Sequence, residues 1–449
     1  MVTSLYIALS VCIIAALVSG TMLLALLVEN RRFWKVHQRR GAPSESETAK
    51  VNLIIPCKGV AEDTRHRLQA FFFQDHPNFR ITFAVESALD PVVPLIRELQ
   101  KENCFVEASI VAAGRATACG QKVHNLLVAI DRLQVEVDVL AFADMDALVK
   151  PSWLRWLTIG VGREGVGART GYRWMVPESK SIPTLIGATL NNAVAACLGK
   201  GNHNLVWGGS WAIHRRVLEH IGLREAWTEI LSDDFVASRA IRGARFRGSR
   251  LKIQFEPQCL CETVIEFTWR SLFEFVVRQL KITRLYAPRH WVAGLCCSAV
   301  NQVAFWGSVA AWIAVMSTGD RGLVPTLLMF SFIGIYLLGV ARGAIRQNMA
   351  RRLIPNWRKQ TSARRFDLFA WPLGGIFSVV AFLASSIGNK ITWSNIHYLV
   401  GQGGRTMVLG RNVESDRWPV RTGSAVPKPR FANSAGEIAK RQATAEAVE

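Results

Sequence analysis

The stretch VLAFADMDALVKPSWL, Val139 to Leu154, sets two acids, Asp144 and Asp146, directly behind an apolar run. Carboxylates at the end of a buried strand are costly unless they meet positive charge. Their hard oxygens suit Mg2+ or Mn2+ bridging to phosphates. Other acids follow other strand-like runs: Glu86 and Asp90 behind FRITFAVE, and Asp233 and Asp234 in LSDDF. A lone Asp-x-Asp is also what a turn or a helix cap before Pro151 uses, so spacing alone leaves both readings open. Asp234 stands at the expected N-terminus of the helix DFVASRAIRG and can take a hydroxyl proton, while capping by either aspartate competes with that role. Arg278 and Lys281, three apart in FTWRSLFEFVVRQLKITRLYAPRHW, share one helix face. His203, His214 and His220 read as satisfied surface histidines rather than ligands.

The elements that must position these groups alternate between residue 51 and about residue 265. VNLIIP, FRITFAVE, CFVEASIVA and VDVLAFA read as strands. AEDTRHRLQAFFFQ, PVVPLIRELQKE and QKVHNLLVAIDRL read as helices. Such βαβ alternation implies an α/β fold with a doubly wound, mainly parallel sheet. Ligands of these sheets bind at the carboxyl ends of strands near the topological switch point, which is where Asp144 stands. No G-x-G-x-x-G follows the first strand and no Walker loop occurs, which disfavours dinucleotide dehydrogenases and P-loop kinases.

The 449 residues are half hydrophobic and carry a formal net charge of +20. With this hydropathy the charge points to a membrane protein with a basic cytoplasmic surface. No zinc-finger spacing or RNA-recognition signature supports a nucleic-acid partner. The nine cysteines are scattered without a disulfide or zinc pattern, which fits reduced thiols. Leu5 to Val28 is uncharged and long enough to span a bilayer, and Arg31, Arg32, Lys35, Arg39 and Arg40 follow it. The positive-inside rule then puts the N-terminus outside and residue 31 onward in the cytoplasm. Further uncharged runs are Trp291 to Thr318, Gly322 to Val340 and Leu368 to Gly388. If all of these cross, the basic tail from Lys390 ends outside, against the same rule. Ile182 to Leu198, with Asn191 and Asn192, reads as an interfacial helix, and Phe267 to Trp291 as an amphipathic helix leading into the bilayer.

PCKG, ALDP (Asp90), GQKVHNL (Lys122), DMD, WGGSWAIHRRVL, LSDDF and RQLKI occur in that order, and ITWSNIHYLV follows the last apolar run. The set resembles the family-2-type inverting glycosyltransferases with a GT-A fold, above all their ceramide glucosyltransferase-like branch. The resemblance implies that Asp90, Lys122 and Asp233 lie at the nucleotide-sugar substrate and that Asp144, with Asp146 beside it, holds Mg2+ or Mn2+. It implies that Asp234 is the catalytic base and that Arg278 and Lys281 help hold the departing diphosphate. The family's Q/R-x-x-R-W motif is altered here to Lys281 and Ile282, with Arg284 a candidate replacement for the missing guanidinium. The expected partners are a UDP-sugar donor, a lipid acceptor of ceramide type and the bilayer itself, in a bacterial inner membrane or an endomembrane. A processive polysaccharide synthase, a hopanoid or diacylglycerol glycosyltransferase, and an inactive nucleotide-sugar-binding scaffold remain as alternatives. The expected organisation is an anchor over 1–30, a GT-A catalytic domain over 50–265, an interfacial helix over 266–290, transmembrane helices over 291–390 and a basic, largely disordered tail over 391–449.

Overall fold

The structure, a computed structural model, describes residues 14–25, 27–29, 31, 49–133, 136–199 and 203–412. An apolar helix α1 (Ile14–Glu29) comes first. The catalytic half then runs β1 (Val51–Cys57), α2 (Thr64–Phe72), β2 (Phe79–Val85), α3 (Val92–Glu102), β3 (Ala108–Ala112), α4 (Gln121–Asp131) and β4 (Val139–Ala143). These four strands are mutually parallel, in the order β3-β2-β1-β4. After α5 (Trp153–Thr158) come β5 (Val166–Pro177), α6 (Ile182–Ala195), β6 (Ser210–His214), α7 (Arg215–His220), α8 (Leu223–Ala226) and α9 (Asp233–Gly243). A small ribbon of β7 (Arg245–Phe246) and β8 (Ser249–Arg250) leads into β9 (Lys252–Ile265). β6 runs antiparallel to β4 and β5, and the seven-stranded sheet ends on β9. The order reverses between β1 and β4, so the crevice opens beside Asp144.

β1 is apolar except for Asn52, which pairs with Thr82 at 3.2 Å, because both its faces are covered. Leu53 and Ile55 pack with Phe71, Phe72 and Trp153 on one side, while Ile54 packs with Leu126, Trp211 and Trp227 on the other. Each such side chain contributes about 1.5–3 kcal/mol of burial. Phe142 stacks on Trp211 at 4.5 Å, which fixes the strand that ends in Asp144.

The chain then enters its helical half. α10 (Trp269–Tyr286) starts with a capping box between Thr268 and Ser271 and stops before Pro288. α11 (Pro288–Gln302), a π-helical turn over Val303–Gly307 and α12 (Ser308–Ser317) form one apolar stretch of 30 residues, and α13 (Leu323–Leu353) one of 31. Both are long and apolar enough to cross a membrane. α14 (Thr361–Phe369) and α15 (Trp371–Ser385) meet at a 76° bend. Trp371 lies against Gly339 half-way down α13, whereas Ser385 accepts a hydrogen bond from Trp291 at the top of α11 (2.9 Å). The uncharged run Leu368 to Gly388 is therefore a bend plus a 15-residue helix, about 22 Å long and short of a 30 Å hydrocarbon core.

The expected tail over 391–449 needs correction. β10 (Lys390–Trp393), β11 (Ile396–Val400) and β12 (Thr406–Arg411) form an antiparallel sheet. Ser394 and Asn395 take φ of 48° and 65°, the pair of left-handed residues that a two-residue hairpin needs. Ile391, Ile396, Tyr398 and Val400 bury into the catalytic core. Residues beyond 412 lie outside the described residues. Ile182 to Leu198 likewise differs from an interfacial helix: α6 is mostly buried, and its Asn191 and Asn192 bond the backbone of Arg173 and Met175.

Tyr286 joins the two halves: its hydroxyl accepts from Leu231 N–H (2.8 Å) and donates to Gly404 O (2.6 Å). Tyr286→Phe leaves Leu231 N–H unpaired, at a cost of about 1–3 kcal/mol, while Gly404 O keeps only Thr406 Oγ1 at 3.3 Å. The variant should unfold at a lower temperature in detergent by differential scanning fluorimetry; an unchanged midpoint would show that the contact is idle.

Candidate active site

One strand end and two helix starts converge on the crevice. Asp144 follows β4, Lys122 is the second residue of α4, and Asp233 and Asp234 open α9. Lys122 Nζ lies 2.8 Å from Asp144 Oδ1 and 3.4 Å from Asp233 Oδ2, and it donates to Gly208 O at 3.2 Å. The start of α4 is pinned to the loop before α9, because Gly120 N–H donates to Ile230 O at 2.8 Å. A Cβ on Gly120 would approach Leu231 to 3.0 Å. That close approach is what lets Lys122 reach both acids.

Gly208 and Gly209 are needed for the same reason. A side chain on Gly208 would sit 2.5 Å from Asp233 Oδ2, and one on Gly209 would sit 2.6 Å from Asp144 Oδ2. The glycine pair lets the backbone lie against the carboxylates, with the Trp207 ring lying over Gly209.

Burial is the largest influence on Asp233, whose side chain is 3% exposed. It raises the carboxyl from 3.8 to about 6, helped by Asp234 and Asp144 and opposed by Lys122. Desolvation works against the Lys122 ammonium, but Asp144 and Asp233 outweigh it and hold its pKa well above the ordinary lysine value. Asp146 opens onto the crevice yet is crowded by protein. Desolvation first and Asp144 second raise its pKa, while Arg67, Arg173 and Lys122 pull it down.

Capping at α9 is resolved by geometry. Ser232 is the N-cap, and Asp234 Oδ1 accepts from Phe235 N–H at 2.7 Å. Asp233 instead turns inward to Lys122. Asp234 is half-buried, and its Oδ2 has no hydrogen bond among the described residues. Asp90 braces the neighbouring loop, accepting from Gly59 N–H at 2.9 Å and Val92 N–H at 3.0 Å.

A sequence profile of glycosyl transferase family 21 matches residues 11–406. The chain belongs to glycosyl transferase family 21. Ceramide glucosyltransferase 1 of Caenorhabditis elegans is 24% identical over 359 residues, which cover 79% of this chain and 72% of that protein. Among solved structures, the mannosyltransferase PcManGT of Pyrobaculum calidifontis, in complex with GDP-Man and Mn2+, aligns with 82% of this chain and 99% of its own. Its identity is 15% and its TM-score 0.42. S. aureus TarS 1-349 in complex with UDP-GlcNAc aligns with 81% of this chain and 100% of its own, at 9% identity and a TM-score of 0.33.

In this family 21 chain, Asp144, Asp146, Lys122, Asp233 and Asp234 form one electrostatic cluster. Arg278 and Lys281 stand apart from it on α10. Arg278 is lowered by burial and then by Arg173, and Lys281 by burial and then by Arg284. Ile282, in place of the family's tryptophan, is buried in the core rather than presented to the crevice. Arg284 does not take over the missing guanidinium: it donates to Gly388 O (2.6 Å) and Asn389 Oδ1 (2.9 Å).

Residue-by-residue reading overlooked the C-terminal sheet's part in the crevice. Lys58 Nζ donates to Ser394 O at 3.1 Å, and Arg411 bonds Glu86 Oε1 and Gln121 Oε1, both at 2.7 Å. Tyr398 hydroxyl accepts from Gln121 N–H at 3.2 Å, one residue before Lys122. The alternating apolar residues of ITWSNIHYLV were the available signal.

The titration of Asp233 predicts a pH signature. Folding raises its pKa from 3.8 to about 6, so the folded state keeps a proton that the unfolded chain has released in that window. Its contribution therefore lowers stability as pH rises from about 4 to 6, with the full cost present above 6. The thermal midpoint of wild type minus that of Asp233→Asn should fall across this window. A difference independent of pH would contradict the assignment.

Proposed function

We propose that this glycosyltransferase moves a hexose, glucose in the first instance, from a UDP-sugar to a hydroxyl of a membrane lipid with inversion. The single observation that carries the reading is the Lys122 bridge between Asp144 and Asp233, with Asp234 beside it at the switch point. Two further facts support it: two helices are long enough to span a bilayer, one of them packing its end against β5 and β9, and a relative is named a ceramide glucosyltransferase. Ceramide is accordingly the reference acceptor.

Asp144 and Asp146 fit a divalent ion shared with the donor. Among the described residues no three His, Cys, Asp or Glu side chains converge as a ready-made cage. A magnesium-like ion needs only one or two carboxylates when phosphates and water complete its shell. Asp146 is exposed to the crevice, so its carboxylate can be approached from solvent. The ion would neutralise the departing diphosphate as a Lewis acid.

The chain's own residues do the rest. Lys122 cancels the mutual repulsion of Asp144 and Asp233 and holds them in place before the donor arrives. Asp234, with one oxygen tied to the helix start and the other free, accepts the proton of the attacking hydroxyl. Attack on the anomeric carbon opposite the diphosphate inverts its configuration. α10, with Arg278 and Lys281, supplies further positive charge for the leaving group.

The C-terminal sheet docks on the catalytic core, so both share one side of the membrane. With basic residues after α1 and through Arg342–Arg365, that side is the cytoplasm. α1, α11–α12 and α13 then cross, and α14–α15 dips in and returns. This removes the conflict over the basic tail. In intact cells, Asp320→Cys should react with an impermeant maleimide and Gly403→Cys should not, each relative to wild type; the reverse pattern rules out this topology.

Purified protein given labelled UDP-sugars and a total lipid extract should yield one glycolipid by mass spectrometry. Asp144→Ala should abolish the product, and Asp234→Asn should lower kcat by about 10²–10⁴. Full turnover by Asp234→Asn would remove the base. UDP-sugar binding with no transfer to any lipid would favour the scaffold reading that the Lys281–Ile282 change raises.

A further inference from the structure

Trp207 opens the turn that leads into β6. Its C=O accepts from Ser210 N–H at 3.1 Å, and its own N–H donates to Thr170 Oγ1 at 2.9 Å. Thr170 is fully buried on β5, so the backbone of Trp207 is held on both sides. The indole lies over Gly209, where a Cβ would run into both Trp207 Cζ2 and Asp144 Oδ2. The ring and the Asp144 carboxylate are therefore neighbours across one glycine.

Tyr172 meets the same indole from β5, with ring centroids 5.6 Å apart and planes at 52°. A break in the β5–β9 ladder brings it there. The register shifts between Thr170 and Tyr172, at Gly171, where a Cβ would run into Cys259 O and Ser210 Oγ. Such a shift re-aims the side chain beside it. The Tyr172 phenol also feels the base candidate: burial raises its pKa first, Arg173 opposes, and the charge of Asp234 raises it further. Tyrosine and tryptophan in a packed site usually find partners for their polar tips. Here both residues are half-buried, and neither the Trp207 indole N–H nor the Tyr172 hydroxyl has a hydrogen bond among the described residues.

The two rings thus bridge from Asp144 to the neighbourhood of Asp234. In the glycosyl-transfer reading the diphosphate lies at the first and the attacking hydroxyl at the second, so the transferred sugar must occupy the space between them. A pyranose has apolar C–H faces and a rim of hydroxyls. An aromatic face with unpaired N–H and O–H groups at its edge matches both. We infer that Trp207 and Tyr172 form the hexose subsite, with the indole as platform for a C–H face of the sugar and the phenol as hydrogen-bond partner of a sugar hydroxyl. The subsite deepens the glycosyl-transfer reading and rests on it.

The test is calorimetric binding to full-length protein in detergent with Mn2+, using UDP-glucose and UDP as paired probes. Trp207→Leu removes the platform, and Tyr172→Phe removes only the hydroxyl. The subsite predicts UDP-glucose affinity about three- to tenfold weaker in Trp207→Leu, with UDP affinity unmoved. Tyr172→Phe should lose about threefold or more on UDP-glucose alone. Trp207→Phe keeps an aromatic face and should lose less than Trp207→Leu. A merely structural role would move both probes together, so equal weakening of UDP and UDP-glucose, or no change in either, overturns the subsite. If Trp207→Leu does not fold, Tyr172→Phe decides the same question. Sugar transfer by wild type, with full UDP-glucose affinity in the folded variants, would keep the enzyme reading and sink the subsite. A wild type that binds neither probe would sink both.

Discussion

The ion bridge from Lys122 to Asp144 and Asp233 is the interaction on which the site depends. Without the ammonium, two carboxylates would face each other in a crevice that burial has already made hostile to charge. The rest of the catalytic half serves to bring these three groups together. The apolar central strand β4 carries Asp144 at its carboxyl end, and the Gly120 contact draws α4 toward α9. The Gly208–Gly209 pair lets the backbone pass close by. Breaking a buried pair of this kind by removing one partner typically costs about 3–5 kcal/mol, so the same contact organises both the fold and the site.

The membrane half is tied to the same place from behind. α10 leaves β9 and runs into α11, and the chain returns after α15 as a small sheet seated on the crevice wall. Through Lys58, Glu86, Gln121 and Tyr286 that sheet touches the loops after β1 and β2, the start of α4, and α10.

The βαβ pattern of the catalytic half was legible because its strands are short, apolar and separated by amphipathic helices. The acids at strand ends were legible for the same reason. Their pairing was not, since Lys122 and Asp144 lie on different elements and only the fold brings them within 2.8 Å. The respective orientations of Asp233 and Asp234 depend on Ser232 taking the cap, which two adjacent aspartates do not reveal. Arg411 and Glu86 are 325 residues apart, and the arginine-rich composition around Arg411 masked three short strands. The run Leu368 to Gly388 is uniformly apolar, so hydropathy read it as a span. What hydropathy does not reveal is the 76° bend before Trp371, which divides the run between two helices.

The central claim is that the acids ending β4 grip a nucleotide's diphosphate through a shared divalent ion. The most direct measurement is calorimetric titration of UDP into the purified full-length protein with and without Mn2+, for wild type and Asp144→Ala. The account predicts that Mn2+ tightens UDP binding to wild type and that the folded variant loses this dependence. An Asp144→Ala protein whose UDP affinity responds to Mn2+ as wild type does would contradict it.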